Sequence, residues 1–163
     1  MDWLQQRLGL DDIALRKMIL QKPQNLGNSI PDNMEPKLSW LQQRLSLTDD
    51  GLSKLIQQMP ALLGCNIETN LEPTLNFYID ALGDENKALD LIIRIPASLA
   101  FSLEKRLKPR LEEAKEAGII VDTKFLTSMM AYTNDDWDMR LTREKGKQHK
   151  HFFAHGHKLP TET

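Results

Sequence analysis

The chain has little of what disulfide-stabilised proteins and most enzymes require. Among its 163 residues there is one cysteine, Cys65, and all four histidines follow Gln148. A single cysteine excludes an internal disulfide. The sequence also has no glycine-rich phosphate loop, no metal-ligand spacing, and no nucleophile placed with a base and an orienting acid. We therefore expect no enzymatic activity, no metal and no cofactor.

Long apolar runs and strand-like alternation are absent as well. No apolar stretch approaches the roughly 20 residues of a membrane-spanning helix, so we expect no membrane partner. No segment alternates apolar and polar residues as a half-buried strand does. The chain begins Met1-Asp2-Trp3, with no signal or transit leader visible. Hydrophobic residues make up 40% and charged residues 27%, which is ordinary for a globular protein.

The charge is unevenly distributed. The net charge is −2, but the part from residue 138 onward has six Lys and Arg against three Asp and Glu. The preceding part has 15 Lys and Arg against 20 Asp and Glu. Such an average does not predict a nucleic-acid surface, so only local clusters of cations could provide one. The acidic balance before residue 138 also fits a protein-interaction scaffold.

The most informative feature that is present is an internal repeat. Residues 3–8, Trp-Leu-Gln-Gln-Arg-Leu, return unchanged as residues 40–45. Two sets of prolines recur with the same spacing, namely Pro23, Pro60 and Pro96, and Pro36, Pro73 and Pro109. A period of about 36–37 residues is typical of a stacked helical array, in which each unit buries its apolar face against its neighbours.

Each copy contains the same signals for two helices. A polar residue that can cap a helix precedes an amphipathic pattern in every copy, at Asp11, Thr48 and Asp84. Proline ends that helix and a short leucine-bearing turn follows. A second cap, at Ser29, Asn66 and Ser102, then opens a longer helix that has a proline inside it. We expect that proline to kink the helix axis.

These signals predict an all-α solenoid, right- or left-handed, of about three and a half repeats. We place the repeats at about residues 3–39, 40–76 and 77–112, with a degenerate cap at 113–137. Residues 138–163 are basic and contain His149, His151, His155 and His157. We expect this tail to be disordered, and its composition leaves both metal and nucleic-acid binding open.

The recurring elements closely resemble the mitochondrial transcription termination factor (mTERF) family over residues 3–137. The resemblance rests on a helix that ends in proline, a Leu-bearing turn and a new cap, as in Gln58-Met59-Pro60-Ala61-Leu62-Leu63. It implies repeats of two helices plus a short third helical turn, stacked into a curved half-ring. It also implies that a basic concave face binds double-stranded DNA or structured RNA. Members act in mitochondria or plastids, in transcription termination or regulation and in RNA processing.

The main candidate contacts for nucleic acid lie on the third long helix. They are Lys105, Arg106, Lys108, Arg110 and Lys115, with Arg94, Arg44 and Lys37 as secondary candidates. We expect the cations of the third helix to project from its flanks and outer face, where they could contact phosphates. The alternative for these residues is a solvated face paired with nearby glutamates. We expect the chain to be a monomer. The alternative functions are a helical protein-interaction scaffold or a truncated member that does not bind nucleic acid by itself.

Overall fold

The computed structural model describes residues 2–27 and 29–154, and every regular element in these ranges is helical. This confirms the all-α prediction. The α-helices of the described part are α1 (Asp2–Leu8), α2 (Asp12–Gln21), α3 (Glu35–Arg44), α4 (Asp49–Gln58), α5 (Glu72–Leu82), α6 (Glu85–Arg94), α7 (Lys108–Glu116), α8 (Thr123–Ala131) and α9 (Asn134–Ala154).

Short helices of two other kinds recur between the α-helices. A 3₁₀-helix follows α2, α4 and α6, at Pro23–Gly27, Pro60–Gly64 and Pro96–Ala100. A π-helix precedes α3, α5 and α7, at Ile30–Met34, Ile67–Leu71 and Leu103–Leu107. The 3₁₀-helices are the leucine-bearing turns predicted from the sequence. The proposed repeat boundaries remain a prediction.

The predicted helix caps are formed by side-chain oxygens. Each oxygen accepts a hydrogen bond from a backbone N–H three residues later, at the start of the helix. The pairs are Asp11 with Ala14, Thr48 with Gly51, and Asp84 with Lys87. Asp122 caps α8 in the same way, at 2.6 Å from the N–H of Phe125. The backbone hydrogen bond from Lys87 also lowers the pKa of Asp84.

The prolines of the second set are accommodated by the π-helices. Pro36 is the second residue of α3, and the N–H of Glu35 donates to the carbonyl of Ile30, five residues earlier. Pro73 follows the same arrangement, with the N–H of Glu72 donating to Ile67. A proline ring clashes with the carbonyl four residues before it and offers no N–H to it. The wider π-turn relieves that clash, so the expected irregularity is a π-helix followed by an α-helix.

The chain divides into two compact units, Met1–Leu103 and Glu104–Thr163. In the first unit the aliphatic residues of successive copies form the core, and Leu38, Leu41, Leu52 and Leu75 are completely buried. In the second unit Phe125, Leu126 and Met129 are buried.

The prediction of a disordered tail is wrong for residues 138–154, because α9 continues to Ala154. The helix is held by its first turns, where Trp137 and Leu141 are buried. Arg140 lies over the rings of Phe125 and Tyr132, at 5.6 and 5.5 Å from the two centroids. The side chains of His149 and His151 and all of residues 155–163 lie outside what the structure describes.

A search of the described residues found no helix that is both long and apolar enough to cross a membrane.

Ser46 has a left-handed backbone, with φ of 51°. The corresponding residues of the neighbouring copies are Gly9 and Gly83, with φ of 61° and 62°. We expect Ser46→Gly to raise the free energy of unfolding by about 0.5–1 kcal/mol, because glycine adopts this conformation without steric penalty. Urea denaturation followed by circular dichroism would measure the change.

The reverse substitution, Gly83→Ser, is the matched control and should destabilise by a similar amount. A Cβ at Gly83 would meet nothing within 4 Å, so its effect would come from the backbone alone. A loss of stability in Ser46→Gly would contradict the prediction and show that the serine hydroxyl contributes more than the backbone conformation costs.

Candidate nucleic-acid interface

The eight cations predicted to contact nucleic acid fall into two groups in the structure. Four are buried or half-buried and donate to carbonyl or carboxylate oxygens of the protein. These are Lys37, Arg44, Arg106 and Arg110. The other four, Arg94, Lys105, Lys108 and Lys115, are exposed.

Lys37 is buried, with 7% of its surface exposed. Its Nζ donates to the carbonyl of Leu63 at 2.7 Å and to Oδ1 of Asn33 at 2.6 Å. Leu63 belongs to the 3₁₀-helix Pro60–Gly64, so the lysine satisfies a carbonyl of the following copy. Burial lowers the pKa of Lys37. The structure therefore gives this residue an internal role in place of a surface one.

Arg44 joins two later helices through acidic side chains. Its Nε lies 3.5 Å from Oε1 of Glu72, and its Nη1 donates to Glu85 at 2.5 Å. The hydrogen bond to Glu85 raises the pKa of Arg44, and the charge of Glu72 adds to this effect. In the preceding copy Arg7 Nε lies 3.1 Å from Glu35, so the same pair of positions forms the same bridge twice.

Arg110 is the clearest correction to the sequence prediction. It is only 4% exposed, whereas the sequence predicts that it projects from the outer face of the helix. Its Nη1 donates to the carbonyls of Met129 and Tyr132 at 2.7 and 2.9 Å. Its Nη2 donates to the carbonyl of Thr133 at 3.1 Å. The guanidinium thus binds the free carbonyls at the end of α8, where a helix has no further N–H to offer them.

Two neighbours complete the environment of Arg110. Its Cζ lies 5.3 Å from the centroid of the Trp137 ring, which is within the range of a cation–π interaction. Arg106 also donates to carbonyls at the end of α8, namely those of Met130 and Tyr132, at 2.8 and 2.6 Å. Burial and the charge of Arg106 lower the pKa of Arg110. The prediction of projecting side chains is therefore wrong for Arg106 as well as for Arg110.

The exposed lysines lie where a phosphate backbone could reach them. Lys108 and Lys115 are seven residues apart on α7, which places them on the same side of the helix about 10 Å apart along its axis. Lys105 lies one turn earlier, in the π-helix Leu103–Leu107. Lys108 pairs with Glu104, but both side chains are solvated, so the ion pair contributes little to stability. A phosphate can therefore replace Glu104 as the partner of Lys108.

The two compact units differ in net charge. The unit Met1–Leu103 has nine Lys and Arg against 13 Asp and Glu, a balance of −4. The unit Glu104–Thr163 has 12 against 10, a balance of +2. The positive balance comes from residues 138–163, since residues 104–137 have six Lys and Arg against seven Asp and Glu. The lysines of α7 share that helix with the exposed Glu112, Glu113 and Glu116.

The exposed cations that the sequence prediction missed include Arg16 and Lys17 on α2, Lys54 on α4, Lys87 on α6 and Lys124 on α8. Lys17 and Lys54 each lie six residues after a helix cap and are 37 residues apart. Aligning the copies could have found them, because a position that is exposed in one copy of an array is commonly exposed in the next.

Replacing Arg110 should destabilise the protein. We expect Arg110→Met to lower the free energy of unfolding by about 2–4 kcal/mol, because buried carbonyls at the end of α8 would lose a charged donor. Arg110→Lys should lose most of the same stability, since an ammonium cannot reproduce the planar fork of the guanidinium. Urea denaturation would give both values.

Lys115→Met is the matched control on the same helix and should change stability by less than about 0.5 kcal/mol. If Arg110→Met were as stable as this control, the internal role assigned to Arg110 would be wrong.

The comparison with known proteins agrees with this helical architecture. The family model for mTERF matches residues 2–138, which is most of the chain. A search of curated proteins found no match. Because the match covers α1 to α8 and the first turns of α9, the chain belongs to the mTERF family.

Proposed function

We propose that this chain is a non-catalytic nucleic-acid-binding protein of organelle gene expression. Membership of the mTERF family is the observation that carries the proposal. The ligand would be double-stranded DNA or structured RNA, and the protein would act in a mitochondrion or a plastid, in transcription termination or regulation or in RNA processing.

The exposed lysines of the second unit, and Lys105 at its start, support a specific surface for this binding. Lys105, Lys108 and Lys115 are exposed on two consecutive helical segments. Phosphate contacts need flexible cations that can reach the backbone, and lysine side chains provide them without a fixed geometry. Arg94 stays a separate candidate on the first unit. Lys37, Arg44, Arg106 and Arg110 are left out of the proposed surface, because their charged groups bind the protein itself.

Salt dependence tests the proposal directly. Affinity for a short DNA duplex and for an RNA hairpin would be measured by fluorescence anisotropy at several salt concentrations. The logarithm of the binding constant should fall linearly with the logarithm of salt concentration. Replacing Lys105, Lys108 and Lys115 together by glutamine should weaken binding and reduce the slope by about 1 for each phosphate that the variant no longer neutralises.

The matched control replaces Arg16, Lys17 and Lys54 by glutamine and removes the same charge from the first unit. It should bind almost as tightly as the unchanged chain. Equal weakening of both triple variants would mean that affinity follows net charge and would contradict the proposed surface. No binding to either the DNA duplex or the RNA hairpin at low salt would contradict the proposed function itself.

A further inference from the structure

The outer face of α2 carries two large aliphatic side chains in solvent. Ile13 is 79% exposed and Leu20 is 72% exposed. Arg16 and Lys17 lie between them, so the four residues follow the i, i+3, i+4, i+7 spacing of one side of a helix. A shallow, open groove of about 560 Å³ is lined by these residues together with Asp12 and Gln21. We call Ile13, Arg16, Lys17 and Leu20 the α2 outer face.

The second copy of the repeat shows what this face looks like when it is only solvated. The residues that correspond to Ile13 and Leu20 are Asp50 and Gln57, both exposed. The fold therefore does not require aliphatic residues at these positions. The third copy has Asn86 and Ile93 at these positions and keeps one exposed aliphatic residue, Ile93. Among the three copies only α2 has both, and the pair leaves apolar surface in water that binding could remove.

Another repeat of the same kind would not cover this pair. In the second copy α4 already packs against α1 of the first copy. Asp50 and Gln57 stay exposed in spite of that contact. The corresponding positions of α2 therefore point away from the direction in which copies stack, and a different kind of partner is needed to bury them.

The residues that line the groove carry two positive charges, on Arg16 and Lys17, and one negative charge, on Asp12, so their net charge is positive. Asp11 is engaged as the cap of α2, where its Oδ1 accepts the N–H of Ala14. Asp12 accepts a hydrogen bond from Nε2 of Gln5 at 2.6 Å. Arg16 and Lys17 have no carboxylate partner among the described residues, although the unit that contains them has a net charge of −4. A ligand for this face should therefore combine apolar groups with negative charge.

We propose that the α2 outer face is a docking surface for an acidic amphipathic helix of a partner protein. The two aliphatic residues lie about 10 Å apart along the axis, which matches apolar residues seven positions apart on a partner helix. Arg16 and Lys17 would meet acidic residues placed between those apolar positions. This surface lies on the first unit and is independent of the proposed nucleic-acid contacts on α7.

A synthetic peptide tests this proposal on the full chain. The probe is a helical peptide of about 20 residues, with leucines seven positions apart and glutamates three and four positions after each leucine. Its counterpart carries lysines in place of those glutamates. Fluorescence anisotropy of labelled peptides at moderate salt should show binding of the acidic peptide and at least about tenfold weaker binding of the basic one.

Two variants locate the binding on α2. The double variant Ile13→Asp, Leu20→Gln introduces the residues found at these positions in the second repeat, so it should fold normally. It should weaken binding of the acidic peptide at least about tenfold. Arg16→Glu with Lys17→Glu keeps the apolar pair and should reverse the preference toward the basic peptide. Circular dichroism would confirm that both variants keep the helical content of the unchanged chain.

Three outcomes would overturn the proposal. The first is no binding of the acidic peptide, and the second is binding that neither variant changes. The third is concentration-dependent association of the chain with itself that the Ile13→Asp, Leu20→Gln variant abolishes, because the face would then join two copies. Analytical ultracentrifugation without peptide detects that case.

Discussion

Carbonyl groups without a helical partner determine how this chain uses its cations. Short turns and helix ends interrupt the backbone hydrogen-bond ladder, and a side chain from α3, α5 or α7 donates to a carbonyl of such a segment later in the chain. Different side chains supply the missing donor: Lys37 binds the carbonyl of Leu63, Tyr78 binds that of Ser98, and Arg110 binds those that follow α8. An unpaired buried carbonyl is costly, so these donors are required by the fold. They are consequently unavailable to a ligand.

The end of α8, whose carbonyls Arg110 binds, has no proline. For the carbonyls of Leu63 and Ser98 the requirement comes from proline. At the end of α2, α4 and α6 it stops the helix and leads into a 3₁₀-turn. At the second residue of α3, α5 and α7 it demands the wider π-turn before it. Lys37 and Arg110 each come directly after such a proline, and Thr74 holds that position in the middle copy. On α5 it is Tyr78, one helical turn after Thr74, that donates to a carbonyl of the next 3₁₀-helix, that of Ser98. Ser98 corresponds to Leu62, so the neighbouring carbonyl of the turn is the one that is bound.

The faces that point away from the packed copies are under no such constraint, and there the copies differ most. Arg7 and Arg44 bridge to Glu35 and Glu72, but the third copy has Ala81 and Lys108 at these positions. Where the first two copies have a glutamate that binds an arginine, the third copy has the exposed Lys108, one of the lysines proposed to contact phosphates. The α2 outer face diverges in the opposite direction, from polar to apolar. Both proposed surfaces therefore arise where the repeat pattern is broken on the outside of the helices.

The sequence by itself determined the helical class, the period, the caps and the buried leucines, because each depends on local hydrogen bonding or on spacing along one helix. It also identified the family from its recurring prolines and turns. Only the tertiary structure decided which cations face the solvent. Lys108 and Arg110 are two residues apart on one helix, yet one is solvated and the other is buried under α8 and Trp137. The same contacts explain α9, whose basic composition suggests disorder but whose first turns are held by Trp137, Arg140 and Leu141. The sequence does not show whether a charged side chain is solvated or bound to a carbonyl. The carbonyls that Arg110 binds lie some 20 residues later in the chain, and only folding brings them close to it.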